Sequence, residues 1–274
     1  MEWWQAILLG LVQGLTEFLP VSSSGHLMIA KELLGVDAEG FLDFTVLVHL
    51  GTVLSTVVVF WGAIVTLFKG LFKFRYNDET DYICKLIVSM IPVMIVGFFF
   101  KDAVEGLFGD SLTVVGVSLC VTAALLFFSD FASGPHGWVK ENKHRGGISF
   151  LQAFIVGCGQ ALAVVPGLSR SGTTIATGLM SGVRRNEMAQ FSFLMVLVPI
   201  IGEQFLSIVG SLKDTGEFFS GAISPVSLLL GFLAAFISGF LACKAMVALV
   251  KRSRLSWFAV YCLLVAVLIF IFGR

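Results

Sequence analysis

The chain has 274 residues, of which 57% are hydrophobic and 13% charged, and its acidic and basic side chains balance to a formal net charge of zero. Together with a mean hydropathy of +0.94, that composition excludes an ordinary soluble domain, and the lack of a basic excess gives no footing for nucleic-acid binding. Five cysteines, Cys84, Cys120, Cys158, Cys243 and Cys262, are scattered through apolar runs with no C-x-x-C or Cys/His cluster, so neither disulfides nor a zinc site is expected.

The N-terminus, Met1-Glu2-Trp3-Trp4, lacks a basic region and a small-residue cleavage site ahead of the apolar run, so no signal peptide is expected. Residues 5–36 form an apolar run interrupted near its middle by Pro20 and Ser22-Ser23-Ser24. Three long runs follow at roughly 42–67, 83–100 and 112–130. Each approaches or exceeds the ~20 apolar residues that carry a helix across ~30 Å of hydrocarbon. A second interrupted run, 152–183, is broken by Pro166 and Ser169-Arg170-Ser171, and three more long runs follow at 191–210, 225–250 and 256–273. The polar stretches 69–85 and 131–149 are too short to be separate domains. Irregular backbone at membrane depth is tolerated only where protein or a water-filled cavity surrounds its unpaired N–H and C=O groups. The two interrupted runs are therefore read as re-entrant helical hairpins. The predicted fold is an all-α integral membrane protein with six transmembrane helices plus two such hairpins.

The interrupted runs also resemble each other. Residues 5–36 align without gaps onto 152–183 at a constant offset of 147, with ten of 32 paired positions identical, among them Gln13/Gln160, Ser22/Ser169, Ser24/Ser171 and Gly25/Gly172. The chain is thus one membrane domain, 1–274, made of a first repeat over 1–131 and a second over 148–274, each a hairpin plus three spans. Three spans are an odd number, so the second copy enters the membrane with the opposite orientation. In this inverted-topology internal repeat, broken helices from the two halves meet near the midplane. The alternating loops carry twelve Lys and Arg on one side and four on the other. The positive-inside rule then places the richer loops in the cytoplasm and both termini outside. The first hairpin opens outward and the second inward.

Polar residues within the hairpins are the candidates for chemistry. Gln13 and Glu17 stand at i, i+4 on one helix face ahead of the first interruption. An acid inside a membrane segment costs ~2.5–3.5 kcal/mol on insertion scales, which marks Glu17 as functional. Ser23 and His26 follow within reach, so that a carboxylate, a hydroxyl and an imidazole are expected in one concave site, the ingredients of nucleophilic or general-base catalysis. Ser22 and Ser24 fit either a substrate-binding role or the simpler task of satisfying broken-helix backbone. The second copy replaces Glu17 by Val164, Ser23 by Arg170 and His26 by Thr173. Arg170 with Ser169, Ser171 and Thr174 at the start of a helix makes an anion site suited to phosphate oxygens. The halves complement each other only if their tips meet.

These motifs, Gln13-x-x-x-Glu17, Glu17-Phe-Leu-Pro-Val-Ser-Ser-Ser-Gly-His26 and Pro166-Gly-Leu-Ser-Arg-Ser-Gly-Thr-Thr174, resemble the signature segments of bacterial undecaprenyl-diphosphate phosphatases of the bacitracin-resistance type. The resemblance covers the whole chain in length, hydropathy and motif order. It implies a hydrolase of the bacterial plasma (inner) membrane that removes the terminal phosphate of a C55 polyprenyl diphosphate. That regenerates the lipid carrier of peptidoglycan synthesis. It also implies a divalent cation, Mg²⁺ or Ca²⁺, held in part by Glu17, and a homodimer. Many members have glutamate where this chain has Gln13, which leaves Glu17 the sole acid of the motif. On this reading Glu17, Ser23, His26 and Arg170 are catalytic, and Gln13, Ser22, Ser24, Ser169, Ser171 and Thr174 bind substrate. Ser23 either attacks the terminal phosphorus or orients the attacking water, with Glu17 or His26 taking the proton. The rival from another class is a transporter or flippase of polyprenyl phosphate, which shares the inverted-repeat plan but needs no aligned nucleophile and base.

Other polar residues carry less. His49 is read as a packed or cavity-lining histidine, Glu203 as partnered near the outer side, Lys244 as snorkelling at a helix end, and His136 and His144 as solvated loop residues. Most of the 29 glycines are read as helix-packing positions.

Overall fold

The computed structural model describes residues 1–100, 106, 112–134, 137–141, 147–214, 221–252 and 254–273. His136, His144 and the side chain of Glu203 lie outside the described residues. Among those described, every regular element is helical: α1 (Trp3–Phe18), α2 (Ser23–Leu33), α3 (Phe41–Val59), α4 (Trp61–Leu71), α5 (Asp78–Phe99), α6 (Leu112–Ser133), α7 (Phe150–Leu162), α8 (Arg170–Met180), α9 (Arg185–Asp214), α10 (Pro225–Arg252) and α11 (Ser256–Phe272).

Among the described residues, five stretches are long and apolar enough to cross a membrane: Phe41–Val59, Asp78–Phe99, Leu112–Ser133, Arg185–Leu206 and Pro225–Val250. Large apolar side chains such as Phe99 and Trp257 stand outward at 79% and 75% exposure, as they do when the surrounding solvent is hydrocarbon. The structure departs from the sequence reading in two spans. The run 42–67 is not one helix: α3 stops at Val59 and α4 restarts at Trp61, with Phe60 out of helical geometry between them. The break falls in Val57-Val58-Val59-Phe60-Trp61, β-branched and aromatic side chains that lose rotamer freedom in a helix. The last run is a helix of 17 residues, at the short limit for crossing.

The two interrupted runs form helical hairpins. In the first, Gln5 in the opening turn of α1 donates its Nε2 to the Leu34 carbonyl at the end of α2, at 2.9 Å. In the second, Gln152 in α7 donates to the Ser181 carbonyl at the end of α8, again at 2.9 Å. These four positions are related by the same offset of 147. The starts are set alike, since Glu2 and Ser149 each exchange hydrogen bonds with the glutamine three residues on, forming a capping box.

Packing repeats as well. The first helix of each hairpin lies along a long helix from the other half, α1 on α10 and α7 on α5. Both contacts rest on a glycine: a Cβ on Gly10 would stand 2.3 Å from the Gly231 carbonyl oxygen, and one on Gly157 would stand 2.3 Å from that of Ser89. Such backbone approach is how helices associate where hydrocarbon gives no hydrophobic drive. α6 pairs with α11 near the centre, and α8 is held among α6, α7 and α9. The fully buried Phe191, Met188, Met195, Leu119 and Leu126 fill the space between them.

Candidate active site

The hairpin tips, 19–22 and 163–169, meet. Ser171 Oγ donates to the Leu19 carbonyl at 3.1 Å. Gly172 approaches Pro20 closely enough that a Cβ there would lie 3.2 Å from the proline ring, and a Cβ on Gly25 would lie 3.6 Å from Gly167. Gly167, at φ +80°, occupies the left-handed region open to glycine. Ser22 takes a similar φ of +72° without being glycine. It is held by Gly25 N–H donating to its Oγ at 3.2 Å and by His26 Nδ1 bonded to its carbonyl at 2.8 Å. Neighbouring helices satisfy the remaining tip groups: Ser118 Oγ donates to the Pro166 carbonyl at 2.8 Å, Ser169 N–H to Thr122 Oγ1 at 3.1 Å, and Cys262 Sγ to the Pro20 carbonyl at 3.6 Å.

Most of the hairpin hydroxyls serve the same end. Ser169 Oγ accepts from Gly172 N–H at 3.1 Å, as Ser22 does from Gly25. Ser22 with Ser24, and Ser169 with Ser171, are paired at 3.4 Å. Thr174 Oγ1, fully buried, donates to the Arg170 carbonyl at 2.9 Å and meets Ser192 Oγ at 2.6 Å. In this geometry the hydroxyls of Ser22, Ser24, Ser169, Ser171 and Thr174 are spent on the broken backbone and on each other, the use that irregular chain at membrane depth demands.

Glu17 is different. Its Oε2 accepts from Ser23 Oγ at 2.5 Å and from Gln13 Nε2 at 2.9 Å, and lies 3.8 Å from His49 Nε2. The short Ser23 contact is a charge-assisted hydrogen bond, which points the hydroxyl hydrogen at a base. Glu17 and Arg170 line one cleft of about 30 Å³, together with Thr52, Thr56, Ser171 and Ser192. That is room for two or three waters at ~10–15 Å³ each, so a diphosphate enters only as the cleft widens.

His26 sits elsewhere than the sequence reading has it. Its Nε2 meets Tyr261 Oη on α11 at 2.8 Å, the two rings stack at 5.6 Å, and Nδ1 is committed to the Ser22 carbonyl. Among the described residues no hydrogen bond joins it to Ser23 or Glu17. Beside Glu17 the structure brings His49, which the sequence reading has as a packed or cavity-lining histidine. The available signal was its spacing: His49, Thr52 and Thr56 fall on one face of α3, at steps of three and four. Lys244 lies over the Phe240 ring at 4.3 Å.

A divalent cation fits the donor chemistry here only in part. Among the described residues no three His, Cys, Asp or Glu side chains converge. The protein therefore supplies a Glu17 oxygen and its immediate neighbours, and phosphate oxygens and water would supply the remainder, as hard cations commonly require.

In the second hairpin, Gln160 and Thr173, the counterparts of Gln13 and His26, are at most 1% exposed, and their side-chain polar atoms have no partner among the described residues. The repeat has kept the scaffold there and lost the reactive pairings.

Comparison with known proteins gives one family and many relatives. A model of the family "Bacitracin resistance protein BacA" matches residues 6–268. An undecaprenyl-diphosphatase from Bacteroides fragilis is 53% identical over 267 residues, covering 97% of each chain. One from Parabacteroides distasonis is 52% identical over 96% of this chain and 95% of its own. One from Methanobrevibacter smithii is 38% identical over 97% of this chain and 96% of its own.

Proposed function

The chain belongs to the bacitracin resistance protein BacA family, and on that premise we propose that it is an undecaprenyl-diphosphatase, a membrane phosphoanhydride hydrolase that takes the terminal phosphate from C55 polyprenyl diphosphate. The observation that carries this is the convergence at the joined tips: Glu17 from one hairpin and Arg170 from the other line one cleft, and Glu17 is bonded to the Ser23 hydroxyl.

Cleavage of a phosphoanhydride needs an in-line nucleophile, charge neutralisation on the phosphoryl oxygens and a leaving group able to depart. Glu17 draws the proton from Ser23, or from a water that Ser23 orients. The oxygen so freed bonds to the terminal phosphorus while the bridging P–O bond breaks and the lipid monophosphate leaves; where Ser23 itself attacks, Glu17 returns its proton to the departing monophosphate and then takes one from a water that splits the phosphoserine, freeing inorganic phosphate and the serine hydroxyl. Arg170 clamps the phosphoryl oxygens with its planar fork, and the tip serines hold both hairpin ends in register. Glu17 with its neighbours would hold a divalent ion, Mg²⁺ or Ca²⁺, which would supply further neutralisation of phosphate charge. His26, tied to Tyr261, positions the start of α2 and so the Ser23 hydroxyl.

The membrane arrangement that goes with this is two re-entrant hairpins and six spans, α11 being the sixth, in an inverted repeat with both termini outside, on the bacterial plasma membrane, and with a homodimer as the assembly. The repeated glutamine ties, capping boxes and glycine contacts support the repeat. The lysine and arginine asymmetry supports the orientation and, with it, catalysis on the outer face. A lipid-phosphate carrier needs Arg170 but no serine bonded to a base, so the Ser23–Glu17 contact favours the hydrolase.

The test is release of inorganic phosphate from polyprenyl diphosphate by purified protein in detergent, with Mg²⁺, Ca²⁺ and Mn²⁺ in turn. Release that is lost in Ser23→Ala supports the reading. No release by folded wild type with any of the three refutes it in favour of the carrier.

A further inference from the structure

We propose that His49 Nε2 is a nitrogen ligand, beside Glu17, for the divalent ion of this site, so that the ion is held by a mixed nitrogen and oxygen donor set. The proposal rests on the reading of Glu17 as a metal-contacting residue of a diphosphate hydrolase.

His49 Nδ1 is 2.8 Å from the Thr45 carbonyl oxygen. A carbonyl only accepts, so Nδ1 carries a proton, and the neutral tautomer selected in this way has its lone pair on Nε2. This is the arrangement of metal-binding histidines, whose second nitrogen usually donates to a carbonyl or carboxylate. Nε2 faces Glu17 Oε2 across 3.8 Å. That gap is too long for a hydrogen bond, and a charge-assisted pair would close to ~2.8 Å. Two donors each ~2.1 Å from one ion stand about 3.0–3.5 Å apart at ordinary coordination angles, so a small contraction seats an ion between them. Both side chains keep a little exposure, at 18% and 15%, and Glu17 lines the cleft together with Thr52 and Thr56 of the helix that carries His49.

A further oxygen points the same way. Gln13 Oε1 is buried without a partner among the described residues, while the same amide donates to Glu17 Oε2. Gln13 brings no charge to the site, and His49 supplies a strong donor from a different helix. Phosphate oxygens of the substrate would complete the shell. An imidazole ligand shifts preference from Ca²⁺, which takes oxygen donors, toward Mn²⁺ and other transition ions.

The experiment is Mn²⁺ binding to the purified full chain with inorganic pyrophosphate as the phosphate probe, followed by electron paramagnetic resonance and by electron spin-echo modulation from imidazole nitrogen. Wild type is expected to show the nitrogen coupling. His49→Gln, which keeps polarity and reach, is expected to abolish it, to raise the Mn²⁺ Kd at least tenfold and to change the Ca²⁺ Kd less than twofold. Circular dichroism and thermal unfolding matching wild type establish that the variant is folded, and His49→Ala serves if His49→Gln is not. Absence of nitrogen coupling in wild type, or Mn²⁺ binding by the His49 variant equal to wild type, overturns the proposal. If Glu17→Gln then loses Mn²⁺ while the His49 variant does not, the ion stays at Glu17 and only His49 falls. Failure of wild type to release phosphate is a separate result that removes the underlying reading.

Discussion

Replacing Glu17 by glutamine tests the centre of the mechanism, because the structure separates its effect on chemistry from its effect on folding. Ser23 Oγ and Gln13 Nε2 both donate to one atom, Glu17 Oε2, so an amide that sets its oxygen there keeps both partners and places its new NH₂ where Oε1 stood. The fold therefore loses only the charge assistance of those two bonds, about 1 kcal/mol each, and sheds a carboxylate that is costly to keep out of water. Catalysis loses its base. A positioned general base contributes ~10²–10⁴ in rate, equivalent to about 2.7–5.4 kcal/mol of barrier at 1.36 kcal/mol per decade. Phosphate release and thermal unfolding, measured on the same detergent-purified samples, should show kcat/KM lower by two to four decades with Tm within a few degrees of wild type. Adding Ser23→Ala should cost little more, since the two residues act as a unit. A folded Glu17→Gln enzyme within tenfold of wild type would refute the assignment of Glu17 as base.

Three further outcomes follow from the geometry. Arg170→Lys keeps the charge but loses the planar fork, and should lower kcat/KM by about one to two decades; activity equal to wild type would show that Arg170 acts only as a point charge. Gly10→Ala and Gly157→Ala each set a methyl 2.3 Å from a carbonyl oxygen of the opposing helix and should cost about 1–3 kcal/mol each in unfolding, whereas Gly62→Ala, with open space around it, should be neutral or slightly stabilising; equal Tm values for all three would contradict the helix contacts. Gln160→Met removes two buried polar atoms that have no partner among the described residues and should raise stability by ~1 kcal/mol with phosphate release unchanged; a lower Tm would count against that assignment.

Much of this protein could be read from its residues in order. Hydropathy alone marks a multi-pass membrane chain, because crossing hydrocarbon requires a length of apolar helix and nothing else supplies it. The interrupted runs betray themselves by proline and serine within an apolar stretch, and their kinship by an ungapped alignment, so Glu17, Ser23 and Arg170 were all visible as candidates on short local motifs. Less legible was the division of labour among the hydroxyls. Ser22 and Ser24 flank Ser23 with the same side chain, yet only Ser23 bonds Glu17, because the direction of each depends on where the backbone turns at the tip and on which carbonyls it leaves bare. His26 looked like a partner to Glu17 from a separation of nine residues, but α11 supplies Tyr261 to hold it. His49 reads as packed or cavity-lining, and α3 carries it to within 3.8 Å of Glu17. A sequence states which groups are available and at what local spacing. Which of them share a cleft is decided by how the helices pack, here α3, which directly follows the first hairpin, and α11, from the far end of the chain, against that hairpin, and one-dimensional periodicity carries no information about that.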